Sequence, residues 1–158
     1  MNDKDKLKEL VFDVNDFLSK YIEVHNIIYK ESESFISTIK NFFGKGVSFE
    51  ILLEYAKTLI PEYESLDLKM LSFKSNSFSN LSKDQKDYFN LLFDYFHALR
   101  QTAICLFEKE AYMYNQSQLK TKMSYLEIKV KSKKYDVLIE NYLALGRILN
   151  DNSKSIFH

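Results

Sequence analysis

A chain of 158 residues that is 46% hydrophobic and 28% charged has enough length and apolar content for one domain with a real core, which excludes disorder as its default state. Its 22 basic and 22 acidic residues cancel, so the chain as a whole has no electrostatic pull toward nucleic acid, an anionic membrane or acidic substrates. Three glycines and one proline cannot supply the frequent turns of an all-β domain, and the expected fold is all-α: one elongated bundle of about four long amphipathic helices, a single domain over residues 1–158.

Leu7, Val14, Tyr21, Ile28, Phe35 and Phe42 recur at seven-residue intervals; Leu10, Phe17 and Val24 fill the complementary seam, and Val11, Leu18 and Ile39 widen it. This coiled-coil-like pattern predicts one helix over residues 3–42, roughly 60 Å long at 1.5 Å per residue, and hence a rod-like molecule. Its seam weakens at Glu31, Ser32 and Thr38, where packing is expected to be poorest. Gly44 and Gly46 sit where the helix must end and the chain reverse, and Ser48 is placed to cap the next helix. Leu52, Tyr55, Ala56, Leu59, Tyr63 and Leu66 continue at helical spacing, while Pro61 removes a backbone donor and is expected to kink or split this second helix.

Residues 72–82, rich in serine and asparagine, carry no helical stripe and are expected to form the longest loop. Ser82 followed by Gln85 forms a capping-box pattern for the third helix. Tyr88, Phe89, Leu91, Leu92, Phe93, Tyr95, Phe96 and Leu99 make that helix apolar on nearly every side, so it is either central or covered by another molecule. Its stripe continues through Ala103, Leu106 and Met113 to an expected turn at residues 115–118. In the last segment Leu119, Met123, Leu126 and Val130 form one stripe, and Leu138, Tyr142, Leu145 and Leu149 another roughly 90° away on a 3.6-residue wheel. A kink, skip or change of packing partner is therefore expected near Ser132, with residues 151–158 as a frayed tail.

The amino-terminal MNDKDKLKEL has no apolar stretch for a signal peptide, the longest apolar run, residues 103–107, is far short of the roughly 20 needed to cross a bilayer, and a cytoplasmic location is expected. Cys105, the lone cysteine, lies in that run and reads as a small buried hydrophobe. Only Arg100 and Arg147 are arginines, which argues against specific nucleic-acid readout. The glycine-rich phosphate loops, H-E-x-x-H and C-x-x-C are absent, so no cofactor is expected.

Two features carry candidate chemistry. In His97-Ala98-Leu99-Arg100-Gln101-Thr102-Ala103 the Leu at +2, basic residue at +3, hydroxyl at +5 and small residue at +6 from His97 resemble the phosphoacceptor motif of histidine phosphotransfer domains, which are helical bundles. The resemblance implies that His97 accepts a phosphoryl group and Arg100 helps neutralise it; Gln101 and Phe107 stand where that family has glycine. The competing reading makes His97 a boundary histidine packed beside Phe93, Phe96 and Ile104. Asp94 and His97 form a D-x-x-H pair loosely similar to the E-x-x-H of ferritin-like di-iron bundles. No second copy exists to complete such a site, and no metal is expected.

Lys120, Lys122, Lys129, Lys131, Lys133 and Lys134 crowd into fifteen residues that hold one acid, Glu127. They read as a solvated face whose stems cover apolar surface, or as a site for an acidic protein or a peripheral anionic surface. Tyr112, Tyr114 and Phe78 fall off the main stripes or in the expected loop and are candidate interface anchors. The leading expectation is a non-enzymatic protein-protein interaction bundle, an adaptor, scaffold or chaperone-like module that binds a protein partner or itself. Phosphotransfer through His97 and anionic-surface binding through the lysines are the alternatives.

Overall fold

The computed structural model describes residues 2–32, 48–119 and 124–157. They form α1 (Asp3–Ser32), α2 (Phe49–Lys57), α3 (Leu59–Asn76), a 3-10 turn (Phe78–Asn80), α4 (Lys83–Gln118) and α5 (Tyr125–Phe157), an all-α bundle. Along α1 the heptad seam is the buried one: Leu7, Leu10, Val14, Phe17, Tyr21, Val24 and Ile28 all lie in the core. Phe35, Thr38, Ile39, Phe42, Gly44 and Gly46, the side chains of Glu31 and Ser32, and Lys120, Lys122 and Met123 are outside the described residues.

Side-chain pairs fix the helix directions. Phe17 of α1 meets Phe96 of α4 edge-on, and Lys109 of α4 donates to the Tyr29 hydroxyl at 3.3 Å, so α1 and α4 run the same way. Lys20–Glu62 and Lys69–Asp13, both at 2.7 Å, lay α3 antiparallel along α1. Tyr95 against Tyr142, and the Tyr112 hydroxyl on Glu127, return α5 antiparallel to α4. The apolar girth of α4 is explained by its position, since it touches α1, α2, α3 and α5, and Leu92, Phe96, Leu99 and Leu106 are fully buried.

Ser48 caps α2 through its hydroxyl, which accepts from the Ile51 N–H at 3.3 Å. The chain breaks at Thr58, whose hydroxyl turns back to the Tyr55 carbonyl at 2.7 Å, and Pro61 falls in the first turn of α3, where a missing N–H disturbs least. Tyr55, expected on the core stripe, is 40% exposed.

The loop expected at residues 72–82 is shorter than its composition suggests. Residues 72–76 are helical because Phe73 extends the Leu66–Met70 stripe and stacks on Phe89 with ring centroids 5.0 Å apart, and burying an aromatic ring outweighs the weak helix propensity of serine and asparagine. Ser82 and Gln85 form the capping box, each side chain bonding the other's backbone N–H. The turn expected at residues 115–118 is likewise helix; Met113 is buried, the Ser117 hydroxyl donates to the Tyr114 carbonyl, and α4 closes at Leu119 on the Asn115 carbonyl.

Helix α5 is uninterrupted at Ser132. Its two apolar stripes lie on different faces of one helix, and the core seam consists of Tyr135, Tyr142 and Leu149, with Leu138 and Leu145 half-buried beside them. Residues 151–157, expected to fray, continue the helix, held by Ile156 against the core and by Asn152 donating to the Ile148 carbonyl at 2.8 Å. The Thr102 hydroxyl donates to the Ala98 carbonyl at 2.8 Å and lies 3.3 Å from the Leu138 carbonyl, joining α4 to α5. Gly146 lets the same helices approach closely: a Cβ there would lie 3.0 Å from the Tyr95 ring.

Candidate functional site

Polar groups converge inside the bundle where α1, α4 and α5 meet. Tyr21, His25 and Tyr29 follow one another at four-residue spacing on one face of α1. The Tyr135 hydroxyl of α5 lies 2.6 Å from the Tyr21 hydroxyl and 2.7 Å from His25 Nδ1. Tyr29 stacks on His25 with centroids 4.4 Å apart, and the Lys109 ammonium caps the Tyr29 face at 4.5 Å. Lys109 also pairs with buried Glu110 at 3.5 Å.

The electrostatics favour the neutral forms of these rings. Burial, then the charge of Lys109, lowers the His25 pKa, so its imidazole is neutral at pH 7 and Nδ1 can accept a proton donor. Burial first, and then neighbouring phenols, raises Tyr135 well above the ordinary phenol value; burial also raises Tyr21. With the imidazole neutral and both phenols protonated, Tyr21, Tyr135 and His25 form a chain of two hydrogen bonds centred on the Tyr135 hydroxyl. Burial also raises the Glu110 carboxyl and the Cys105 thiol, so Cys105 is not an activated nucleophile. Among the described residues no three His, Cys, Asp or Glu side chains converge to hold a metal ion, and none of the described helices is long and apolar enough to cross a membrane.

The residues singled out from sequence scatter. His97 is half-buried with its ring edge-on to Phe93 at 4.3 Å and against Phe96 at 5.6 Å. Arg100 turns to α3, where it pairs with Asp67 at 3.5 Å and lies over the Tyr63 ring at 5.5 Å; its Nε is buried without a hydrogen-bond partner. Phe78 packs on Phe89 beneath Lys86. Tyr112 binds Glu127 and lies under Lys131, tying α4 to the start of α5, while Tyr114 is half-buried on α4. Lys134 pairs with Glu108 at 3.9 Å, and Lys129 and Lys133 are exposed.

Those two lysines border the most extended apolar surface on α5. Leu126, Val130, Val137 and Ile148 are 68%, 61%, 56% and 49% exposed, and Ala144 between them is exposed too. At 100° per residue these five fall within about 50° of one another, roughly 140° around the helix from the Tyr135–Tyr142–Leu149 seam. Helix α5 is thus apolar on two opposed faces, one in the core and one on the outside. An open groove of about 550 Å³ between α1 and α3 is a weaker candidate, because its lysines are already engaged, Lys6 by Asp3 and Lys69 by Asp13.

No family model matches the chain, and neither a curated protein nor a solved structure matches it. The fold alone therefore defines the class, an antiparallel all-α helical bundle.

Proposed function

We propose that this protein is a non-enzymatic protein-protein interaction bundle of adaptor, scaffold or chaperone-like type, whose docking surface is the outer face of α5. The observation that carries the reading is the apolar stripe Leu126, Val130, Val137, Ala144 and Ile148 on the solvent side of a helix whose opposite side already serves the core. Scattered apolar residues on a surface need no explanation, but a stripe in helical register over about 33 Å is the pattern by which helices recognise one another. The buried polar chain supports the reading indirectly, since it ties the inner face of α5 to α1 and so leaves the opposite face outward.

The two alternatives draw less support from the geometry. Arg100, which phosphotransfer through His97 needs as a neutralising cation, is engaged by Asp67. Of the four described lysines of the 120–134 cluster, Lys131 and Lys134 are committed to Tyr112 and Glu108. The test is a photo-reactive side chain placed in living cells at Val130, with the exposed α3 residue Glu64 as control. Docking on α5 gives covalent protein adducts at Val130 and none at Glu64; equal or absent labelling at the two positions refutes it.

A further inference from the structure

The outer stripe is symmetric about its own centre. Counted from Val137, Val130 and Ala144 lie seven residues to either side, and Leu126 and Ile148 eleven. A two-fold axis through Val137 therefore lays this face on a second copy of itself running antiparallel: Val137 meets Val137, Val130 meets Ala144, and Leu126 meets Ile148. From this self-complementary spacing we propose that the occupant of the outer α5 face is a second copy of this chain, paired antiparallel through α5; the proposal rests on the docking reading above.

Charge also bears on the direction. Lys133 and Glu140 are exposed on the same edge of the stripe, four residues before and three after its centre. In the antiparallel pair each Lys133 comes beside the other copy's Glu140, twice over, whereas in a parallel pair this edge faces the opposite edge of the other helix and Lys133 and Glu140 do not meet. Lys129 and Arg147, about 20° further round that edge than Glu140, come together as like charges in the same pair and offset part of this attraction. The small layers at the centre, valine on valine and valine on alanine, allow close approach, and the larger leucine and isoleucine close the ends.

The stripe also sets the strength. Ten aliphatic side chains, five from each copy, together with the stems of Lys133 and Glu140 bury on the order of 1,000 Å², at the low end for a specific contact. The dimer is accordingly expected to be weak and reversible.

Single cysteines in the full-length chain, with Cys105 replaced by alanine, test both partner and direction under mild oxidation. Val137→Cys lies on the two-fold axis and forms a covalent dimer, at least tenfold more of it at 100 µM than an exposed Glu64→Cys control. Leu126→Cys stays monomeric, because its two copies are about 33 Å apart in the antiparallel pair. Mixing Leu126→Cys with Ile148→Cys restores a dimer joining the two variants. Absence of a Val137→Cys dimer, or a Leu126→Cys dimer formed as readily, overturns the proposal. If Val137→Cys fails to dimerise while the photo-probe at Val130 still captures a different protein, self-pairing is wrong and the docking reading stands; if neither links to anything, both fall.

Discussion

Replacing Tyr135 by phenylalanine removes one oxygen from the centre of the molecule and takes a hydrogen-bond partner from both Tyr21 and His25. Tyr135 is fully buried, and its hydroxyl is hydrogen-bonded to the Tyr21 hydroxyl at 2.6 Å and to His25 Nδ1 at 2.7 Å. A buried hydrogen bond contributes about 1 kcal/mol net, and an orphaned buried partner costs about 1–3 kcal/mol. His25 is half-buried and can turn to water, so the expected loss is about 2 kcal/mol, or a fall in Tm of roughly 4–8 °C for a chain of this size. Tyr21→Phe leaves the Tyr135–His25 bond in place and should cost about 1 kcal/mol. The double variant removes both partners of the Tyr21–Tyr135 bond together, so it should cost about 2 kcal/mol, with a coupling near 1 kcal/mol between the sites. Thermal and urea denaturation followed by circular dichroism measure all four members of the cycle. A Tyr135→Phe protein within about 0.5 kcal/mol of wild type, or strict additivity in the double variant, would refute the buried hydrogen-bond chain.

Because burial lowers the His25 pKa, the unfolded chain takes up a proton near pH 6.5 that the folded protein refuses. Stability attributable to His25 is therefore present above that pH and is lost as pH falls toward the folded value. Wild type should lose more Tm between pH 7.5 and 5.5 than His25→Gln, and equal pH slopes in the two proteins would remove the buried neutral histidine. Gly146→Ala gains helix propensity of about 1 kcal/mol but drives a methyl to 3.0 Å from a buried ring. With Tyr95 held edge-on against Tyr142, the net result should be a loss of about 1 kcal/mol in urea denaturation; a gain would mean the ring yields. His97→Gln gives up ring contacts to Phe93 and Phe96 and should cost on the order of 1 kcal/mol, and neither it nor wild type should take acid-labile label from a phosphorylated response regulator. Label acquired by wild type and lost in the variant would restore phosphotransfer.

Much of the fold is legible in the sequence because helical periodicity is a local property. The α1 seam, the Ser82–Gln85 box and the centrality of α4 all follow from spacing within a single helix. The misplaced boundaries at residues 72–76 and 115–118 have a common cause: serine and asparagine weaken a helix by tenths of a kcal/mol per residue, while Phe73 and Met113 anchor those turns through contacts or burial that composition does not encode. The candidate site was half visible. Leu126 and Val130 stand out as a stripe, but a wheel gives angles without saying which side is inside, and the expected kink, skip or change of packing partner near Ser132 gives way to one continuous helix with the stripe exposed. Tyr21, His25 and Tyr29 share a face at spacings of four, a signal for their cluster; Tyr135 is 106 residues beyond Tyr29, and only the folded chain brings it to them.

The central claim is that the outer face of α5 exists for binding and contributes little to the fold, and the double variant Val130→Glu/Val137→Glu tests it most directly. Both side chains are more than half exposed, so Tm measured in dilute solution should stay within the shift expected of surface substitutions, about 0.5 kcal/mol. In the same protein, sedimentation should find one chain at concentrations where wild type is moving toward two, because four carboxylates would have to be buried in the paired face. Unfolding of the variant would mean the stripe belongs to the core after all, and an unchanged mass distribution in a folded variant would mean that this face binds no second copy.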